Sequence, residues 1–206
     1  LEHAYYLGGI AVGSMIISII FWLAGFLRMS TTGVVAQSLG ANDSEQAWRY
    51  FFHSLSIALI IALSLVALNQ PLINLIMLSI DASEQVSYFA QQYFSIRIYS
   101  APAALVNLVF LGYFVAKQQV RWVVYQLFTV NIINIALDLL FVLGFEWGVR
   151  GAALASVIAD YCGSLLLLIV LIPPLKKLDW RQLIKPKLAL FQRLFSLNKD
   201  IFIRSL

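Results

Sequence analysis

Residues 131–161 read NIINIALDLLFVLGFEWGVRGAALASVIADY, and their charge pattern decides the fold class. Two apolar stretches flank the short polar turn around Glu146 and Arg150, and each carries a single carboxylate, Asp138 or Asp160. A membrane-crossing helix needs about 20 predominantly apolar residues. The first stretch continues upstream to Trp122 and the second downstream to Leu175, so each is long enough.

The same test applied along the chain finds three more spans. Ala4 to Leu27 and Tyr50 to Ile80 carry no charge, and Gln85 to Ala116 is broken only by Arg97. The expected helices cover roughly 4–27, 52–77, 86–116, 122–145 and 151–174. Composition agrees: 61% of residues are hydrophobic and only 12% charged, about half the charge of a soluble domain. The fold class is therefore all-α, a polytopic membrane helical bundle, with the lipid bilayer as its first partner. In the first span Gly9 and Gly13 stand at GxxxG spacing, which permits close approach of a neighbouring helix.

Basic residues alternate between successive connections. Arg28, Arg49, Lys117, Arg121, Lys176, Lys177, Arg181, Lys185, Lys187 and Arg193 fall on one side, and Arg150 alone on the other. The positive-inside rule then puts the N-terminus outside and the C-terminal tail in the cytoplasm. Strict alternation also explains the net charge of +4 without nucleic acid. Nothing at the start reads as a signal peptide, so an outward N-terminus implies a helix before Leu1. At the other end, Leu188, Phe191, Leu194 and Phe195 oppose Lys187, Gln192, Arg193 and Ser196. Segment 176–198 thus reads as a basic amphipathic linker along the interface, and 199–206 as the start of another helix. The expectation is an interior piece of a larger protein.

Charges inside a membrane cost at least a few kcal/mol each, so Arg97, Asp138 and Asp160 are functional candidates by position. Helical spacing groups them with other polar residues. Tyr93, Arg97, Ser100, Ala104 and Asn107 share one face of span three; Asn131, Asn134 and Asp138 one face of span four; Ala152, Ser156, Asp160 and Gly163 one face of span five. Three stripes facing one interior would form a polar site of formal charge −1, able to carry a proton or exchange it for a cation. A purely structural role, an Arg97–Asp160 salt bridge fixing helix packing, stands beside that reading. Pro102 invites a kink in span three. His53 reads as interfacial, Cys162 is the lone cysteine, and no metal spacing, phosphate loop or nucleophile motif is visible.

Residues 26–40, FLRMSTTGVVAQSLG, resemble the loop after the second helix of multidrug and toxic compound extrusion (MATE) transporters. Residues 96–118, IRIYSAPAALVNLVFLGYFVAKQ, are similar to their fourth helix, and residues 131–161 to their fifth and sixth. The wording is closest to the bacterial DNA-damage-inducible protein F branch. The resemblance implies most of the N-terminal lobe of a twelve-helix transporter, helices two to six, located in a bacterial inner membrane. It implies antiport of organic, often cationic, molecules against protons or sodium, with no cofactor beyond the coupling ion. It also implies that helix one and a C-terminal lobe complete the site. Asn134 and Asp138 match a family Asn–Asp pair one turn apart on helix five; Tyr93 and Ser156 match cavity-lining positions, with Asn107 and Asn131 nearby. The leading expectation is that Asp138 binds the coupling ion and Asn134 orients it, while Arg97 and Asp160, singled out by the cost of burying charge and not by the resemblance, tune its charge. A lipid-linked oligosaccharide flippase of the same superfamily and a non-transport scaffold are the alternatives.

Overall fold

The computed structural model describes residues 2–78, 80 and 82–175, and every element in them is helical. The proposed linker 176–198 and the helix start at 199–206 lie outside the described residues. The helices are α1 (Glu2–Leu23), α2 (Phe26–Gly40), α3 (Ser44–Ala67), α4 (Asn69–Met77), α5 (Glu84–Arg97), α6 (Ala101–Ala116), α7 (Val120–Asp138) and α8 (Gly148–Leu175). A 3-10 turn, Ile98–Ser100, joins α5 to α6, and a π-helical stretch, Leu139–Gly144, extends α7. Five helical stretches are long and apolar enough to cross a membrane: Ala4–Gly40, Ser44–Ala67, Glu84–Ala116, Val120–Gly144 and Gly148–Leu175.

Two boundaries differ from the sequence expectation. Residues 28–49, read as a polar connection, are almost wholly helical, and the turn is confined to 41–43. The hydroxyls that look like loop signals satisfy themselves inside the helix. Thr31 Oγ1 donates to the Leu27 carbonyl at 2.6 Å, Thr32 Oγ1 to Arg28 at 2.8 Å, and Ser38 Oγ to Val34 at 2.9 Å. Leu27, Val34 and Val35 then lie on one buried face, against α3 and α6. Asp43 caps α3 by accepting from the Gln46 amide at 2.8 Å. The expected single helix over 52–77 is instead interrupted at Leu68. Pro71 has no N–H to offer the Ala67 carbonyl, so the first helix stops and a second begins with the proline in its first turn.

Glycine sets the closest helix contact. A Cβ on Gly9 would stand 2.3 Å from Phe89 Cβ, and one on Gly13 2.8 Å from Tyr93 Cδ1, so α1 and α5 meet nearly backbone to backbone. Packing is organised along α8, which runs unbroken. Near the N-terminal end of α8, Val149 and Ala153 join Tyr6, Ile10, Phe89 and Tyr93 of α1 and α5. Near its C-terminal end, Leu167 and Leu171 join an aromatic-rich core of α2, α3 and α6 that includes Trp48, Phe51, Phe110 and Tyr113. His53, in the N-terminal half of α3, is buried in the protein, and its Nδ1 donates to the Arg49 carbonyl at 2.7 Å. α7 packs chiefly on α8, leaving Leu127, Phe128, Ile132, Ile135 and Leu143 exposed, as contact with lipid requires.

Candidate functional site

The polar residues of the spans gather around α8 in two groups. In the first, the Arg97 guanidinium at the end of α5 lies 2.7 Å from an Asp160 carboxylate oxygen. Both side chains are largely withdrawn, 14% and 16% exposed. Arg97 also donates to the Ser100 hydroxyl and sits 5.6 Å above the Phe21 ring of α1. Asn107 Nδ2 donates to the Asp160 backbone carbonyl at 3.4 Å. A guanidinium suits this place because its planar fork can pair with a carboxylate and stack on a ring together.

The second group lies between α7 and α8. Asn134 Nδ2 donates to the Ser156 hydroxyl at 3.2 Å. Asp138 is the last residue of α7, where α-helical geometry gives way to the π-helical stretch. One oxygen of its carboxylate, Oδ1, is buried and accepts no hydrogen bond. A buried polar atom without a partner is costly and calls for an explanation. Six other side-chain atoms among the described residues share that state; the adjoining π-helical stretch, a feature frequent at functional sites, is what sets Asp138 apart. Gly151 and Gly163 of α8 face Phe141 of the π-helical stretch and Val130 of α7, which fixes the antiparallel register of the pair. That register sets Asp138 level with the region of Leu154, about 9 Å along the axis from Asp160.

The three stripes therefore meet along α8, with Ser156 and Asp160 one turn apart, but they do not form one cluster of three charges. Arg97 is spent on Asp160 and leaves Asp138 alone. Tyr93 lies in the apolar cluster against Gly13 of α1. Asn131 is exposed and donates to the Leu127 carbonyl of its own helix at 2.8 Å, so it joins neither group. Two residues outside the sequence expectation contribute. Tyr161 OH donates to the Tyr99 carbonyl and Ser164 Oγ to the Ala103 carbonyl, both at 3.0 Å. No hydropathy signal marks them; only their i+1 and i+4 positions after Asp160 hint at a role. A cleft of about 450 Å³ between α1 and α4 is lined only by apolar side chains, such as Ile16, Ile19 and Ile76, and none of the polar residues of either group lines it.

Comparison with known proteins places this arrangement. The MatE family model matches residues 1–140. The chain belongs to the MatE family. It is 41% identical over its whole length to DNA damage-inducible protein F of Escherichia coli K12, spanning 45% of that protein. It is 30% identical over 161 residues to DETOXIFICATION 45, chloroplastic, of Arabidopsis thaliana, covering 71% of this chain and 28% of the relative. Among solved structures, a transporter of the MOP superfamily from Pyrococcus furiosus superposes with a TM-score of 0.86 at 20% identity, over 98% of this chain and 47% of that one. An inward-facing multidrug resistance MATE transporter gives a TM-score of 0.78 at 22% identity, over 96% and 44%. The chain thus spans less than half the length of these MatE relatives. The fold is shared with these solved transporters, and five helical stretches long and apolar enough to cross a membrane accompany it.

Proposed function

We propose that this MatE chain is most of the N-terminal lobe of an inner-membrane secondary antiporter, which exports small organic cations against protons or sodium. The observation that carries the reading is the orphaned Asp138 oxygen, buried in a span beside the Asn134–Ser156 pair. A carboxylate in that setting gains strongly from a bound proton or cation, because either supplies the missing partner. Asn134 fixes the neighbouring polar edge, and Ser156 holds Asn134. The basic residues Arg28, Arg49, Lys117 and Arg121 then mark the cytoplasmic end, and the N-terminal end of α1 faces the periplasm. Arg97 is already neutralised by Asp160, which disfavours a cationic pocket for a lipid-linked pyrophosphate.

The test uses the full-length protein in sealed vesicles with an internal pH indicator. A fluorescent organic cation dye is added under a proton gradient and, separately, under a sodium gradient. Asp138→Asn is expected to abolish dye-dependent ion movement in whichever gradient drives the unsubstituted protein, while dye binding is retained. Undiminished coupled transport removes Asp138 from the mechanism.

A further inference from the structure

Three helix interruptions border one apolar cluster. The break between α1 and α2 at Ala24–Gly25 closes with short-range hydrogen bonds, Leu27 N to Ala24 O at 3.0 Å and Arg28 N to Gly25 O at 3.1 Å. The break at Leu68 separates α3 from α4. The 3-10 turn at Ile98–Ser100 separates α5 from α6, and Pro102 lies in the first turn of α6 without an N–H for the Ile98 carbonyl. Ile98 itself, with Ile16, Ile17, Ile73 and Phe94, forms the cluster, and Phe21, Leu65 and Leu72 pack against it. On one side of this level α1 and α5 pack tightly through Gly9 and Gly13; on the other, α2, α3 and α6 share the aromatic core. α8 passes the level as an uninterrupted helix and packs on both halves, on α1 and α5 and on α6.

Polar side chains of α8 meet the span-three interruption in succession. Asp160 takes the Arg97 guanidinium, Tyr161 donates to the Tyr99 carbonyl, and Ser164 donates to the Ala103 carbonyl. Asn107 returns a hydrogen bond to the Asp160 carbonyl. Arg97 bridges the interruption on its own chain through Ser100 and reaches α1 at Phe21, beside the α1–α2 break. Mid-helix 3-10 stretches recur at hinges, and an ion pair withdrawn from water is retained where it selects one arrangement over another.

We propose that Ile98–Ser100 is a hinge between two half-bundles and that the Arg97–Asp160 ion pair is the latch that sets its angle against α8. The proposal gives these residues a positioning role, distinct from ion binding at Asp138, and rests on the antiporter reading only for what the bending serves. With the latch closed, α5 and α8 move as one body. With it open, α5 carries α1 with it through the glycine contact, and the interior face beside α8 changes width.

The test is a distance measurement on the full-length protein. Spin labels are placed on cysteines at Gln85 and Phe145, both exposed at the same end of the bundle, in a cysteine-free background that includes Cys162→Ser. The arm from the hinge to Glu84 is 14 residues, so a 20° change of kink moves its tip by about 7 Å. Arg97→Gln and Asp160→Asn are each expected to shift or broaden the distance distribution by several ångströms, and the charge swap Arg97→Asp with Asp160→Arg to narrow it again. Single variants that keep the unsubstituted distribution, or a swap that recovers nothing, overturn the latch. Should the charge variants not fold, Tyr161→Phe carries the test. Its ring is exposed and loses only the hydrogen bond to Tyr99, so a shifted or broadened distribution supports the latch and an unchanged distribution overturns it. The readout needs no transport. A protein that shows the shift but moves no dye keeps the latch and loses the antiporter reading; coupled transport without a shift does the reverse.

Discussion

Replacing Gly9 by alanine puts a methyl carbon 2.3 Å from Phe89 Cβ and 3.0 Å from the Phe89 carbonyl carbon. Neither atom can swing away, because a Cβ is fixed by its own backbone. Ordinary contact begins near 3.4 Å, so α1 and α5 must separate by about 1 Å along the whole seam that also holds Gly13. Over-packing of this kind costs about 1–3 kcal/mol, against a gain of up to about 1 kcal/mol from removing a helical glycine. Gly33 is the matched control. It is helical, and a Cβ there meets nothing within 4 Å, so Gly33→Ala is expected to be neutral or slightly stabilising. Thermal unfolding of the two full-length variants in one detergent separates these outcomes. Equal midpoints for Gly9→Ala and Gly33→Ala refute the claim that the α1–α5 contact is set by backbone proximity.

Two further predictions rest on the same kind of measurement. Gly163→Ala is expected to cost about 1–3 kcal/mol, like Gly9→Ala. The added methyl stands 2.4 Å from Val130 Cγ2, which a β-branched side chain in a helix cannot swing away, although Gln126 Nε2 at 2.9 Å can give way. Asp43→Ala is expected to cost about 1 kcal/mol by removing the N-cap of α3. Ser83→Ala is expected to cost visibly less, since that cap to the Val86 amide is long at 3.4 Å. A reversed order of the two cap variants contradicts the assignment.

Hydropathy located the spans because lipid demands about 20 apolar residues whatever the neighbours are. It failed at Phe26–Gly40, where Ser30, Thr31, Thr32 and Ser38 lower the apolar score but bond back to their own helix. It missed the interruption at Leu68 because a window average does not register one missing N–H at Pro71. Helical spacing placed Ser100, Asn107, Ser156 and Asp160 on the correct faces. It could not show that Asn131 bonds to its own turn, since one residue of rotation moves a side chain by 100° and only packing against α8 settles which face looks inward. The Arg97–Asp160 salt bridge was one of the two readings that the sequence offered, and the structure forms it; that it excludes Asp138 depends on how α5 packs on α8, which spacing within one helix does not carry.

That packing has a consequence for charge. Summed over the spans, one guanidinium and two carboxylates leave −1 wherever they stand, and the sum alone assigns the excess to no residue. Arg97 bonded to Ser100 and paired to Asp160 forms a formally neutral unit, in which the paired oxygen, Asp160 Oδ2, is held by charge and not by a regular hydrogen bond. The excess charge is then localised on Asp138, at a place where the turn geometry changes and one carboxylate oxygen finds no donor. A neutral pair and a lone acid answer to different perturbations. Removing either member of the pair uncovers a buried charge and reshapes the bundle, whereas neutralising the lone acid relieves a cost and leaves the bundle in place. Asp138→Asn is therefore expected to raise the thermal midpoint or leave it unchanged, while Asp160→Asn lowers it. An Asp138→Asn protein less stable than Asp160→Asn would mean that the lone acid holds the helices together, and the division into latch and ion site would fail.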